Sequence, residues 1–228
     1  MFCINIKFLL HKIILQEKET FAVCRVNPGG NAGKKDDTMK TTTVWRSGLM
    51  KNERIIEEVP GLYKIFPLKV FRKTDKVTFD FVPIDLLPKI DAIDRVLHES
   101  NAISPGPVGN VERPWYMHPY QEDNLVVLYG TRHVEIYTPA HGQIARFTVT
   151  PHEIIRDGKV ICSSGAMLVW PCNVFHRIQT DSLGSASMNL AVHYDGFDIR
   201  TNFNVYDLDT ITGKFNVIRE GHLDQPPS

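Results

Sequence analysis

Apolar and polar positions alternate along much of this chain with the period of a strand. Residues 76–82, KVTFDFV, place Val77, Phe79 and Phe81 on one face and Thr78 and Asp80 on the other, the pattern of a half-buried strand. The run GLYKIFPLKVF at 61–71 is strand-like as well. Over 85–99 the period changes. Leu86, Ile90, Ile93 and Leu97 recur at three- and four-residue intervals, which predicts one short helix with an apolar stripe, Asp85 as its N-cap and Pro88 in its first turn. Residues 100–114 are rich in Gly, Pro and Asn and form a long loop. Beyond them, strands are predicted at 124–129, 131–137, 143–149, 166–170, 176–180, 187–194, 202–208 and 214–219. Turn residues separate them, at Gly130, Pro139 with Gly142, Arg156-Asp157-Gly158, Leu183-Gly184, Asp195-Gly196 and Thr212-Gly213. Many short strands so punctuated, with little helix, predict an all-β sandwich or closed barrel.

Composition narrows the class of partner. Lysine plus arginine and aspartate plus glutamate both number 26, so the net charge of zero carries no electrostatic footprint for nucleic acid or an anionic membrane. No stretch approaches the roughly 20 apolar residues of a membrane helix. The expected partner is a small molecule. Cys3, Cys24, Cys162 and Cys172 show neither disulfide-scaffold nor zinc-ribbon spacing, which fits free thiols in a reducing, cytoplasmic setting. Residues 1–38 read as a flexible N-terminal extension: charges interrupt the apolar run at 2–15, and NPGGNAGKKDD follows. Met39 opens what resembles an ordinary protein start. A targeting segment is the alternative, and Glu17, Glu19, Asp36 and Asp37 count against it. One domain is expected over 39–220, with a tail at 221–228.

Candidate chemistry is concentrated in two segments. In GAMLVWPCNVFHRIQT, at 165–180, five residues separate Gly165 from Pro171, and His176 follows. A strand that ends at Pro171 and turns through Cys172 and Asn173 would start the next strand near His176, whose imidazole could serve a metal. In WYMHPYQEDNLVVLYG, at 115–130, His118 precedes Glu122 and Asp123, and Gly130 closes the run.

Together and in this order the two segments resemble the signatures of the cupin superfamily, G-x5-H-x-H-x3,4-E-x6-G and G-x5-P-x-G-x2-H-x3-N. The resemblance covers about 105–200. Gly165, Pro171 and His176 fall in register. Asn173 replaces the second glycine, and asparagine tolerates the left-handed conformation that a glycine there supplies. Thr180 replaces the final asparagine, and Tyr116 stands where the first histidine of the other signature would be. Either Glu122 or Asp123 can take the carboxylate position, with the balance towards Glu122.

The resemblance implies a cupin-type double-stranded β-helix, a jelly-roll barrel of the RmlC-like kind, with N-terminal strands and one short helix. It is often carried as a homodimer. It further implies a divalent metal (Fe, Mn, Ni or Zn) held by His118, His176 and Glu122 or Asp123. Tyr116, His133 and His193 are candidates for further cavity residues, with Tyr116 expected to be structural rather than a ligand and at least one of the two histidines expected at the surface or in the core, whereas His141 and His152, beside turns, belong to solvent. The implied function is an enzyme acting on a small organic molecule, of oxygenase, isomerase or lyase type. The alternatives are a non-catalytic binding module or a metal-free sugar-nucleotide epimerase or isomerase.

Overall fold

The computed structural model describes residues 54–226. The extension expected at 1–38, the start at Met39 and the last two residues of the tail lie outside the described residues. No described helix is long and apolar enough to cross a membrane. The strands are β1 (Glu57–Val59), β2 (Tyr63–Pro67), β3 (Lys69–Lys73), β4 (Thr78–Phe81), β5 (Ala92–His98), β6 (Ile103–Ser104), β7 (Trp115–Met117), β8 (Gln121–Tyr137), β9 (Ala145–Val149), β10 (Ile154–Arg156), β11 (Lys159–Cys162), β12 (Ala166–Trp170), β13 (Phe175–His193), β14 (Val205–Leu208) and β15 (Phe215–Arg219). One four-residue helix, α1 (Ile199–Asn202), is capped by the Asp198 side chain.

Two long strands organise the rest. β8 and β13 pair antiparallel along nearly their whole length, from Phe175↔Tyr137 to His193↔Gln121. Both bend midway, so each serves two halves of one folded sheet. In the first half the order is β1-β2-β12-β8-β13, with β5 on the far side of β13. In the second, β9 and then β10 and β11 flank β8, while β7, β14 and β15 extend from β13. Separate strands predicted at 124–129 and 131–137, and at 176–180 and 187–194, are thus single bent strands. The bend is built from glycine. Gly130 has φ +71° and Gly184 φ +67°, and a Cβ on Gly130 would lie 2.0 Å from the Gly184 carbonyl oxygen. Only a residue without a side chain fits there.

The core lies between the two halves. Leu125, Val127 and Leu168 from the first half pack with Val134, Ile136, Phe147, Val149 and Ile154 from the second. The outer face of the first half is covered too: Phe66, Met167 and Val169 pack with Leu87, Val126 and Leu190. With both faces covered, every residue of β12 is buried, which explains why AMLVW reads as an unbroken apolar run.

Two predicted elements are corrected. The expected helix at 85–99 is a single 3-10 turn, Ile84–Leu86, followed by the strand β5. There the residues of the stripe, Ile93 and Leu97, are 58% and 60% exposed, while Asp94, Val96 and His98 alternate inward. The inner face of this strand borders a cavity lined by Asp94, Val96 and His98, so the usual order of apolar inside and polar outside is inverted. β4 pairs only with β3 in a separate two-stranded ribbon. Val77, Phe79 and Phe81 remain 49%, 38% and 42% exposed rather than half-buried on one face. The two phenylalanines pack on Phe71, whose ring lies 6.0 Å from Phe79 and 5.9 Å from Phe81, with Arg72 over the ring of Phe79 and Lys69 over that of Phe81.

Chemical denaturation checks this architecture. Ile136→Ala, at a fully buried site between the two halves, is expected to cost about 2–5 kcal/mol. Gly130→Ala is expected to cost at least about 1–3 kcal/mol through the collision at the bend. Near-neutral behaviour of Gly130→Ala would show that the strands do not approach there.

Candidate functional site

The strand–turn–strand expected around Pro171 is present. β12 ends at Trp170, the chain reverses through Pro171, Cys172 and Asn173, and β13 begins at Phe175. Asn173 has φ +63°, the left-handed conformation expected of a glycine substitute. Its backbone N–H donates to the carbonyl of His118 at 2.9 Å, pinning the turn of one motif to the histidine of the other. β7 pairs with β13 through Tyr116↔His176, which brings His118, just past β7, alongside His176.

Three buried side chains converge from these elements. His118, Asp123 and His176 are 5%, 4% and 4% exposed. Each offers a ligand atom, and the three atoms lie within 4.8 Å of one another. His118 Nε2 is 3.4 Å and His176 Nε2 is 3.9 Å from Asp123 Oδ2. The remaining polar atoms are held from behind. His118 Nδ1–H donates to the Asn202 carbonyl at 2.6 Å, and His176 Nδ1–H points at the Val174 carbonyl at 3.3 Å. These tautomers direct an Nε2 lone pair from each ring towards Asp123 Oδ2. Asp123 Oδ1 accepts from Gln121 Nε2 and Asn189 Nδ2, both at 2.7 Å. Asn202 Nδ2 in turn donates to Gln121 Oε1 at 3.3 Å. Burial and the neighbouring His118 push the His176 imidazole down to about 4, so it is neutral at ordinary pH.

The group lines one side of a cavity of about 280 Å³. Strand alternation decides which acidic neighbour enters it: Asp123 does, while Glu122 projects from the other face of β8, where burial raises its carboxyl and its surroundings are Asn124, Lys64 and Tyr194. Tyr116 borders the cavity and stacks on His118 at 6.3 Å between ring centroids. His133 and His193 do not line it. His133 bonds Thr148 and the exposed Asp181, and His193 stacks on Phe197 at 3.6 Å. Gln121, Asn189, Asn202, Asp94, His98 and Arg132 were not foreseen. Gln121 and Arg132 carried a signal, being polar residues in phase with the buried Leu125 and Val127 and with the buried Val134 and Ile136 of β8. Asp94 and His98 were hidden by the helical reading of 85–99.

No family model matches the chain, and no curated protein matches it. Among solved structures it is similar to QdtA, a sugar 3,4-ketoisomerase from Thermoanaerobacterium thermosaccharolyticum in complex with TDP, with 14% identity over 60% of this chain and 82% of that one, and TM-score 0.41. A 3,4-ketoisomerase from Helicobacter canadensis shares 14% identity, over 60% of this chain and 85% of its own, with TM-score 0.41. The WlaRB TDP-quinovose 3,4-ketoisomerase from Campylobacter jejuni shares 16%, over 60% and 87%, with TM-score 0.38. Likeness of this degree assigns no substrate or chemistry. The chain is all-β, with its strands paired antiparallel, and the two segments that resemble cupin signatures meet at one cavity.

The half-buried His98 gives the site a pH signature. Arg132 Nη2 donates to His98 Nδ1 at 2.8 Å, which requires a neutral ring. Burial and the Arg132 charge push the imidazole down to about 4. Protonation then favours the unfolded chain, so stability should fall as pH drops from the unfolded value near 6.5 towards about 4. In urea melts across this window, His98→Gln should lose stability less steeply than the wild type. Equal slopes would count against a neutral His98 bonded to Arg132.

Proposed function

We propose that this chain is a metal-dependent cupin enzyme acting on a small organic molecule, with His118, Asp123 and His176 holding one divalent ion. The observation that carries this reading is the convergence of three buried ligand atoms whose other polar atoms are already engaged. Two imidazoles and a carboxylate suit Fe, Mn, Ni or Zn, and bond lengths of about 2.0–2.2 Å to a shared ion require ligand atoms a few ångströms apart. Bound there, the ion would supply a Lewis acid or a redox centre. The chain's own residues supply the rest. The Asn202 carbonyl and Asn173 fix the position of His118, Gln121 and Asn189 orient Asp123, and Trp170, Phe203 and Ile178 line the cavity beside the reacting end. A specific observation also supports a metal-free sugar isomerase or epimerase: the buried His118–Asp123 pair at 3.4 Å could exchange a proton with a bound substrate.

Metal titration separates the two. Protein stripped with a chelator is expected to take up one equivalent of Mn²⁺, Fe²⁺, Ni²⁺ or Zn²⁺. His118→Ala, His176→Ala and Asp123→Ala should each abolish uptake. Gln121→Ala should weaken it by about 10–100-fold by releasing Asp123, and Glu122→Ala and His152→Ala should leave it unchanged. A wild-type protein that binds none of the four would transfer the site to the metal-free reading.

A cytoplasmic setting and a homodimer belong to the same proposal. Cys162 and Cys172 are unpaired thiols, as a reducing compartment maintains. Among the described residues β5 pairs only with β13, leaving an open edge beside the exposed Ile93 and Leu97. Light scattering at micromolar concentration is expected to report twice the chain mass, and a monomer would refute the pairing.

A further inference from the structure

The wall of the cavity formed by β5 and the bend of β8 carries a cation without a counter-ion. Arg132 is 1% exposed. Its Nε donates to Ser185 Oγ at 3.0 Å, and its Nη2 donates to the Val96 carbonyl at 3.1 Å and to His98 Nδ1 at 2.8 Å. A guanidinium has five N–H donors, and these bonds use three. Among the described residues Nη1 has no acceptor, and no carboxylate lies within ion-pair distance of Arg132. A purely structural arginine tying β5 to β13 accounts for Nε and Nη2 but leaves Nη1 unexplained. Burying a charge without an opposite charge is costly, and the cost is relieved if an anion completes the pair.

Two further observations point the same way. Ser187 Oγ and Trp170 Nε1, in side chains 1% and 4% exposed, line this cavity and have no hydrogen-bond partner. His98, whose Nδ1 accepts from Arg132, carries its proton on Nε2 and adds a donor to the same cavity. The acceptors lie elsewhere. Asp94 and Asp123 are both bonded to Asn189 Nδ2, beside His118 and His176. The cavity therefore has a donor-rich cationic pole around Arg132 and an anionic pole around Asp123. Val96, Leu125 and Ile178 line it with apolar surface.

We infer that Arg132, with Ser187 and His98 beside it, is an anion subsite that takes the carboxylate of a small organic acid and turns the rest of that molecule towards Trp170, His118, Asp123 and His176. One guanidinium and about 280 Å³ of space suit a monocarboxylate better than a diphosphate. The orientation of the acid towards the three-residue group rests on the function proposed above. Anion capture at Arg132 does not, because it needs no metal.

The test uses the full chain in the presence of a chelator, so that no metal contributes. Acetate, pyruvate and benzoate are titrated by calorimetry, each against its neutral amide. The Trp170 indole N–H resonance, identified with Trp170→Phe, reports whether the cavity is occupied. At least one acid is expected to bind about tenfold or more tightly than its amide, as for a charge-assisted pair, and to move that resonance. Arg132→Gln should remove the preference for the acid while leaving Zn²⁺ uptake as in the wild type. Where Arg132→Gln does not fold, the wild-type acid-against-amide preference and the indole shift decide. The proposal is overturned if no acid is preferred over its amide, if the indole resonance does not move, or if a folded Arg132→Gln keeps the preference. Loss of Zn²⁺ binding in the wild type, with acid binding intact, would overturn the metal reading alone.

Discussion

The pairing of β8 with β13 is the constraint on which the other features depend. It runs through both halves of the folded sheet, so the core, the cavity and the candidate site are all defined by where these strands bend. The bend is possible because Gly130 and Gly184 meet backbone to backbone, with no room for a side chain. Before the bend, β8 sends Gln121 and Asp123 inward; after it, the same strand sends Arg132. Opposite electrostatic poles of one cavity thus come from a single strand, separated by the glycine at which it turns.

Polarity in this fold follows the cavity rather than a simple inside–outside rule. β12, covered on both faces, is wholly apolar apart from the indole N–H of Trp170. β5 is the reverse case, with Asp94 and His98 facing in and Ile93 and Leu97 facing out. A buried polar group is tolerable when it is bonded, and most of these are: Asp123 by two amides, Asn124 Nδ2 by the Leu190 carbonyl, and His118 by the Asn202 carbonyl. Four buried polar atoms among the described residues have no partner: Ser187 Oγ and Trp170 Nε1 line the cavity, while Arg113 Nε and Asn124 Oδ1 do not.

Support for the site reaches across the chain. Asn202, at the end of α1, bonds through its backbone to His118 and through its side chain to Gln121, which holds Asp123. Asn173 bonds to the carbonyl of His118 from the turn before β13. The three convergent side chains are therefore oriented by residues well separated in sequence, and a substitution at Asn202 or Gln121 would act on the geometry of the site through the residue it holds.

The sequence by itself determined what depends on near neighbours. The strand–turn–strand from Ala166 to His176, the left-handed turn at Asn173 and the all-β class were legible because turn chemistry and period-two patterning are local. His118 and His176 were legible through their register with a known signature. Only the tertiary structure decided what depends on distant faces. Glu122 and Asp123 are adjacent in sequence, and the phase of β8 sends Asp123 alone into the cavity. Residues 85–99 matched a helical stripe because their apolar residues happen to recur at three and four. Pairing with β13 makes part of that segment an edge strand with its polar face turned in, an inversion no local pattern can announce because the cavity that causes it is built by strands elsewhere in the chain.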